Sequence, residues 1–204
     1  MTPQPSPPGS VSDPGTATVG RRNSGGVSTR RLGMRLFLLS LSILFVACLI
    51  GILVIRLRAE QWPPPGSPEI PGGLWISTAI LAVLSTLLVL AVRATRAGRA
   101  AEASRLLAAS TALGVAFLAA QTSNWFAMAG EGDDVQKTML AFAFWMLTVL
   151  HGLHVLGGLV PLSITTVRAA QGRYLSDPEP VELVADYWHF LGITWLAIFA
   201  VLAL

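Results

Sequence analysis

The chain has 204 residues, 53% of them hydrophobic and only 12% charged, a balance that takes it out of the usual soluble range and makes lipid its main solvent. The formal charge of +3 does not point to nucleic acid, because the positive residues sit in a tail and in short loops beside apolar runs. A single cysteine, Cys48, excludes a disulfide framework and a thiolate metal cluster within the chain.

Pro, Gly, Ser and Thr dominate the first thirty or so residues, with almost nothing large and apolar to bury. Residues 1–31 are therefore expected to form a disordered tail, and residues 32–204 a membrane domain. Arg30 and Arg31 ahead of an apolar run, with Val46-Ala47-Cys48 inside it, weakly resemble an export signal or lipid-attachment site. The run continues through Leu49 to Ile55, long enough to span, so a helix that stays in place is the expectation.

Crossing the hydrocarbon takes about 20 mostly apolar residues at about 1.5 Å each. Five segments qualify: 36–55, 74–92, 106–128, 139–167 and 183–204. Open strands would leave backbone groups unpaired in lipid, so the fold class is all-α, an integral membrane bundle of five transmembrane helices. The connections are a Pro-rich loop around Trp62-Pro63-Pro64-Pro65-Gly66, an Arg-rich loop, an acidic loop over 130–138 and a loop over 168–182. If the N-terminus is cytoplasmic, eleven of the fourteen basic residues lie inside, and only Arg56, Arg58 and Lys137 lie outside. The positive-inside rule then puts the N-terminus in the cytoplasm and the C-terminus outside.

The fourth segment is longer than a straight span requires, and Pro161 is expected to bend it or mark where it leaves the hydrocarbon. Gly152, Gly157 and Gly158 there, with Ala108, Ala109, Ala112, Ala116, Ala119 and Ala120 in the third, permit close packing.

Polar groups at membrane depth are costly and need partners. Gln121 and Asn124 share one face of the third helix and are expected to hydrogen-bond across helices. His151 and His154 share a face of the fourth, and His189 sits early in the fifth, beside Asp186, Tyr187 and Trp188. Imidazole ligates metals and haem, but His189 is expected near the inner surface and His151 nearer the midplane, which disfavours a shared site. No Asp or Glu lies deep in a span, so a proton relay through this chain alone is not expected. Glu182 and Asp186 read as solvated charges, with pairing to inner-face arginines as the alternative. No phosphate loop, nucleophile elbow or pair of catalytic carboxylates appears.

Three motifs then carry a resemblance. His151-Gly152-Leu153-His154-Val155 resembles the His-Gly-x-His-Val helix of subunit III of the haem-copper cytochrome c oxidases. Tyr187-Trp188-His189-Phe190 with Trp195 resembles that family's last helix, and Gly33-Met34-Arg35-Leu36-Phe37 followed by Trp62-Pro63-Pro64 resembles its third helix and the loop after it. The five-helix short form of the family agrees with the span count. The sequence departs at three positions where the family often has an acid: Leu41, Asn124 and Gly192.

The resemblance implies a non-catalytic structural subunit of a terminal respiratory oxidase that moves electrons from cytochrome c to oxygen and pumps protons. It implies enzyme membership through the complex, no haem, copper or other cofactor in this chain, and a role in stabilising the catalytic subunit and supporting proton uptake. Implied partners are catalytic subunit I, copper-bearing subunit II and phospholipids, with no nucleic acid, in the plasma membrane of a prokaryote. Gln121, Asn124, His151, His154, Trp188 and His189 are the expected helix-packing, lipid or subunit-interface residues; no catalytic or metal residue is expected. The alternatives are an accessory subunit of a nitric oxide reductase, a haem b anchor using two of the histidines, and a small transporter, for which the halves show no convincing repeat.

Overall fold

The computed structural model describes residues 28–67, 69–130, 138–174 and 177–203. Its elements are five helices: α1 (Thr29–Arg58), α2 (Gly73–Arg96), α3 (Ala100–Ala129), α4 (Met139–Ala170) and α5 (Glu179–Ala203). Each is long and apolar enough to cross a membrane, and the chain is an integral membrane protein. The disorder expected for the tail falls on residues outside those described, except at Ser28 and beyond, where α1 has already begun by Thr29. The acidic loop over 131–137 also lies outside them.

The helices run past the apolar segments at several ends, and local chemistry explains where they stop. Thr138 caps α4 by accepting from the Ala141 N–H at 3.2 Å. Asp177 accepts from the Glu179 N–H at 3.1 Å, and Pro180 then sits in the first turn of α5, where no intrahelical donor is lost. Two helices end on a glycine with positive φ, Gly98 after α2 and Gly172 after α4, both at 71°. In each, the following N–H reaches back, Arg99 to the Ala94 carbonyl at 2.9 Å and Arg173 to the Arg168 carbonyl at 3.1 Å. This pairs carbonyls that would otherwise be left open. Pro161 does not end α4, which continues to Ala170.

Helices α2, α3, α4 and α5 form a closed ring in which each packs on the next and α5 returns to α2, while α1 lies outside against α5 and, more lightly, α4. Aromatic side chains fill the ring: Phe117, Phe144, Trp188 and Trp195 are fully buried. Glycines make room for them. A Cβ on Gly114 would stand 3.0 Å from the Trp188 ring and 2.7 Å from Leu159 Cδ2, one on Gly152 would stand 3.0 Å from the Trp125 ring, and one on Gly158 would strike Tyr187. Lipid tails are as apolar as leucine, so this fitting of rings onto bare backbone, rather than exclusion of water, holds the helices together. Along α1 the outward residues Leu36, Phe37, Leu39, Ile43, Val46, Ile50 and Leu57 are at least half exposed, as expected for a helix that meets lipid or another subunit. At its far end Arg56 donates to the Val201 carbonyl in the last turn of α5, at 3.2 Å.

Candidate functional site

Some of the polar side chains inside the bundle join one helix to another. Gln121 and Asn124 are both buried and face α2, where Ser77 completes the group. Ser77 Oγ donates to Gln121 Oε1 at 3.5 Å, and Asn124 Nδ2 lies 3.4 Å from both Ser77 Oγ and Gln121 Oε1. These are long, weak bonds, and Gln121 Nε2 has no partner among the described residues. The Asn124 side chain also occupies the space that a Cβ on Gly73 would need, so it packs onto bare backbone at the start of α2.

His151 is completely buried among Phe45, Phe117 and Trp195, with ring centroids 6.2, 5.8 and 5.2 Å away, and neither ring nitrogen has a hydrogen-bond partner among the described residues. His154 turns the other way. Its Nδ1 donates to the Leu150 carbonyl at 2.7 Å, and its ring meets the edge of Phe45 at 5.2 Å. Trp188 is buried against Gly114, and its indole nitrogen has no partner among the described residues. His189 lies between α5 and α2, with Nδ1 2.6 Å from Ser85 Oγ. The three histidines therefore face three different surroundings, and among the described residues no group of three or more His, Cys, Asp or Glu is placed to hold a metal ion.

Several pairings between helices were not visible in the sequence. Trp195 Nε1 donates to Thr78 Oγ1 at 3.0 Å, Trp125 Nε1 to Thr148 Oγ1 at 3.0 Å, and Thr111 meets Thr166 at 3.0 Å. Most of these hydroxyls also donate to the carbonyl four residues back, so they pass as ordinary small residues of an apolar run.

Glu182 overturns its reading as a solvated charge. Its side chain is 11% exposed and lies between Arg31 of α1 and Arg96 of α2, bonded to both, with the Arg96 bond at 2.8 Å. Glu179 adds a bond to Arg31 at 3.2 Å, and Asp177 one to Arg30 at 3.1 Å. Three helices are thus clasped at one end by charge. The arginines are largely exposed, which limits the effect, so Glu182→Gln should cost on the order of 1–2 kcal/mol, read as an earlier thermal transition of the purified variant, with the gap from the parent shrinking at high salt.

The description of the cytochrome c oxidase subunit III family matches residues 15–204. The chain belongs to that family. Over 176 residues it is 29% identical to cytochrome c oxidase subunit 3 of Synechocystis, covering 83% of this chain and 73% of the relative. Over 196 residues it is 28% identical to cytochrome c oxidase subunit 3 of Thermostichus vulcanus, covering 95% of this chain and 96% of the relative. A probable cytochrome c oxidase subunit 3 of Nocardia farcinica is 29% identical over 89 residues, 43% of this chain and 44% of that one. As a family member the chain is a structural subunit of a haem-copper oxidase, part of an enzyme complex. The oxidase names favour this over the nitric oxide reductase and haem-anchor readings.

The three family-like motifs meet in space around Tyr187. Its hydroxyl donates to the His154 carbonyl at 2.8 Å, its ring covers Gly158, and Phe37 stacks on it with centroids 6.0 Å apart and planes at 27°. The subunit III motifs thus read as a packing device that joins α1, α4 and α5. Of the three neutral departures, Leu41 and Asn124 are buried, and Gly192 lines the cleft between α2 and α5.

Proposed function

We propose that the chain is the part of a proton-pumping oxidase that stabilises catalytic subunit I, in a complex with copper-bearing subunit II that takes electrons from cytochrome c and gives them to oxygen. Haem and copper reside in those partners. The reading is carried by one observation: a subunit III family match along residues 15–204 on a five-helix membrane bundle.

The membrane is the plasma membrane of a prokaryote, with the N-terminus in the cytoplasm. The charge bias supports this, since the clasp of Arg30, Arg31 and Arg96 gathers at the end of the bundle where the sequence places most basic residues. Phospholipid covers the seam between α2 and α5. A cleft of about 330 Å³ there is lined by Leu81, Ala82, Ile193 and Leu196, matching an acyl chain. A second of about 230 Å³ beside it carries Arg31, Arg93 and Arg96 with Glu182 and Asp186, a mixed charge in which Arg93 is the arginine left to meet a phosphate. Gln121, Asn124, His151 and Trp188 hold the bundle in the shape that the catalytic subunit meets, while His154 and His189 stand at its lipid-facing or partner-facing surface.

Oxidase purified from cells lacking this chain should keep its haem absorption bands and lose thermal stability and proton pumping per electron. Bands lost in proportion to the missing chain, with the catalytic subunit still present, would contradict a purely structural role.

A further inference from the structure

A groove of about 290 Å³ runs along the outside of the bundle where α1 meets α4 and α5, lined by Met34, Phe37, Leu153, His154, Gly157 and Tyr187 among others. Its walls are largely apolar, the Tyr187 hydroxyl already donates to the His154 carbonyl, and two further groups are hydrogen-bond acceptors. The Leu150 carbonyl beside His154 Nδ1 can only accept, so Nδ1 carries the hydrogen, and Nε2 of the uncharged ring is left with a lone pair. No hydrogen bond from the described residues reaches Nε2. Three residues on along the same face, the Gly157 carbonyl lacks its usual i+4 partner, because Pro161 has no N–H. Gly157 has no side chain to cover that oxygen, and a Cβ placed there would meet nothing within 4 Å.

Depth limits what can answer these acceptors. His154 is midway along the 32 residues of α4, roughly 23 Å from either end at about 1.5 Å per residue, and so near the centre of the hydrocarbon. Water is scarce there and phospholipid headgroups stay at the surface, yet an open acceptor in hydrocarbon costs free energy until a donor reaches it. The donor must arrive on an apolar body. One face of Phe37 stacks on the buried Tyr187 ring, while Phe37 itself is half exposed and offers an aromatic surface in the groove that suits a flat ring.

We propose that this groove binds a lipid-soluble quinol, its ring hydroxyl donating to His154 Nε2 or the Gly157 carbonyl and its isoprenoid tail lying along α1. Binding involves no electron transfer and no covalent change. A long-chain alcohol offers the same donor, but its hydroxyl is drawn to the membrane surface, away from these acceptors.

The test uses the intact oxidase complex, anaerobic and fully reduced so that the probe stays a quinol. An azido-naphthoquinol with a short tail is photo-cross-linked, and the labelled peptides are identified by mass spectrometry. Labelling should fall on α1 and α4 beside the groove. Unlabelled naphthoquinol should compete about tenfold better than its dimethyl ether, which has lost the donor. Gly157→Val and His154→Phe should each reduce labelling at least fivefold in complexes that still assemble, whereas His154→Gln, which keeps an acceptor, should retain most of it. Equal competition by the ether, labelling indifferent to Gly157→Val, or an unlabelled groove in the intact complex would each overturn the proposal. Hexadecanol competing as well as naphthoquinol would overturn the quinol as the source of the hydroxyl.

Discussion

Trp188→Ala should destabilise the bundle by about 3–5 kcal/mol, the range for emptying a large buried aromatic site. The ring is 1% exposed and lies across the ring of helices from α5 onto bare backbone at Gly114 of α3, with Leu159 of α4 beside it. Its indole nitrogen has no partner among the described residues, so the loss is one of packing contacts, with no hydrogen bond to replace. Gly114→Leu should be damaging by itself, because the new side chain enters space held by the Trp188 ring and Leu159. Combined with Trp188→Ala it should fill part of the void, so the double variant should be more stable than the sum of the single losses implies. Thermal transitions of the four proteins, purified in the same detergent, measure this coupling. Additive losses would mean that the two residues do not share one space.

Gly158→Val should separate α1 and α5 from α4, at a cost of about 2–4 kcal/mol from overpacking together with a lost hydrogen bond. The added atoms would strike the Tyr187 ring, displace its hydroxyl from the His154 carbonyl and disturb its stacking on Phe37. Gly157→Val, one residue away, is the control: it points into open space and should change stability by less than about 0.5 kcal/mol. Limited proteolysis of the 59–72 connection reads the loosening of α1 directly. Equal resistance in the two variants would remove Tyr187 as the joint between the three family-like motifs.

The five spans were legible because an apolar run of membrane length has one economical structure. Their ends were less legible, since a hydropathy reading stops where lipid stops while the helix continues to its cap. Thus α5 begins at Glu179, where Asp177 caps it, rather than at 183, and α3 begins at Ala100 rather than at 106. The shared face of Gln121 and Asn124 followed from their spacing, but Ser77 as the third member did not, because pairing across helices depends on how each is rotated about its axis. Glu182 illustrates the same limit. It lies 86 residues from Arg96 and 151 from Arg31, and nothing local to its sequence distinguishes a clasped carboxylate from a solvated one. Likewise the spacing of His151 and His154 put both on α4 without revealing that one is enclosed by aromatic rings while the other opens toward the groove beside α1.

The most direct test is to purify the tagged chain from native membranes in mild detergent, record the visible spectrum and identify its companions by mass spectrometry. A structural oxidase subunit should bring with it a haem-bearing catalytic subunit and a copper-bearing partner, and should be colourless once separated from them. A chain recovered alone, with a bis-histidine haem spectrum that disappears in His151→Leu or His154→Leu, would contradict the account.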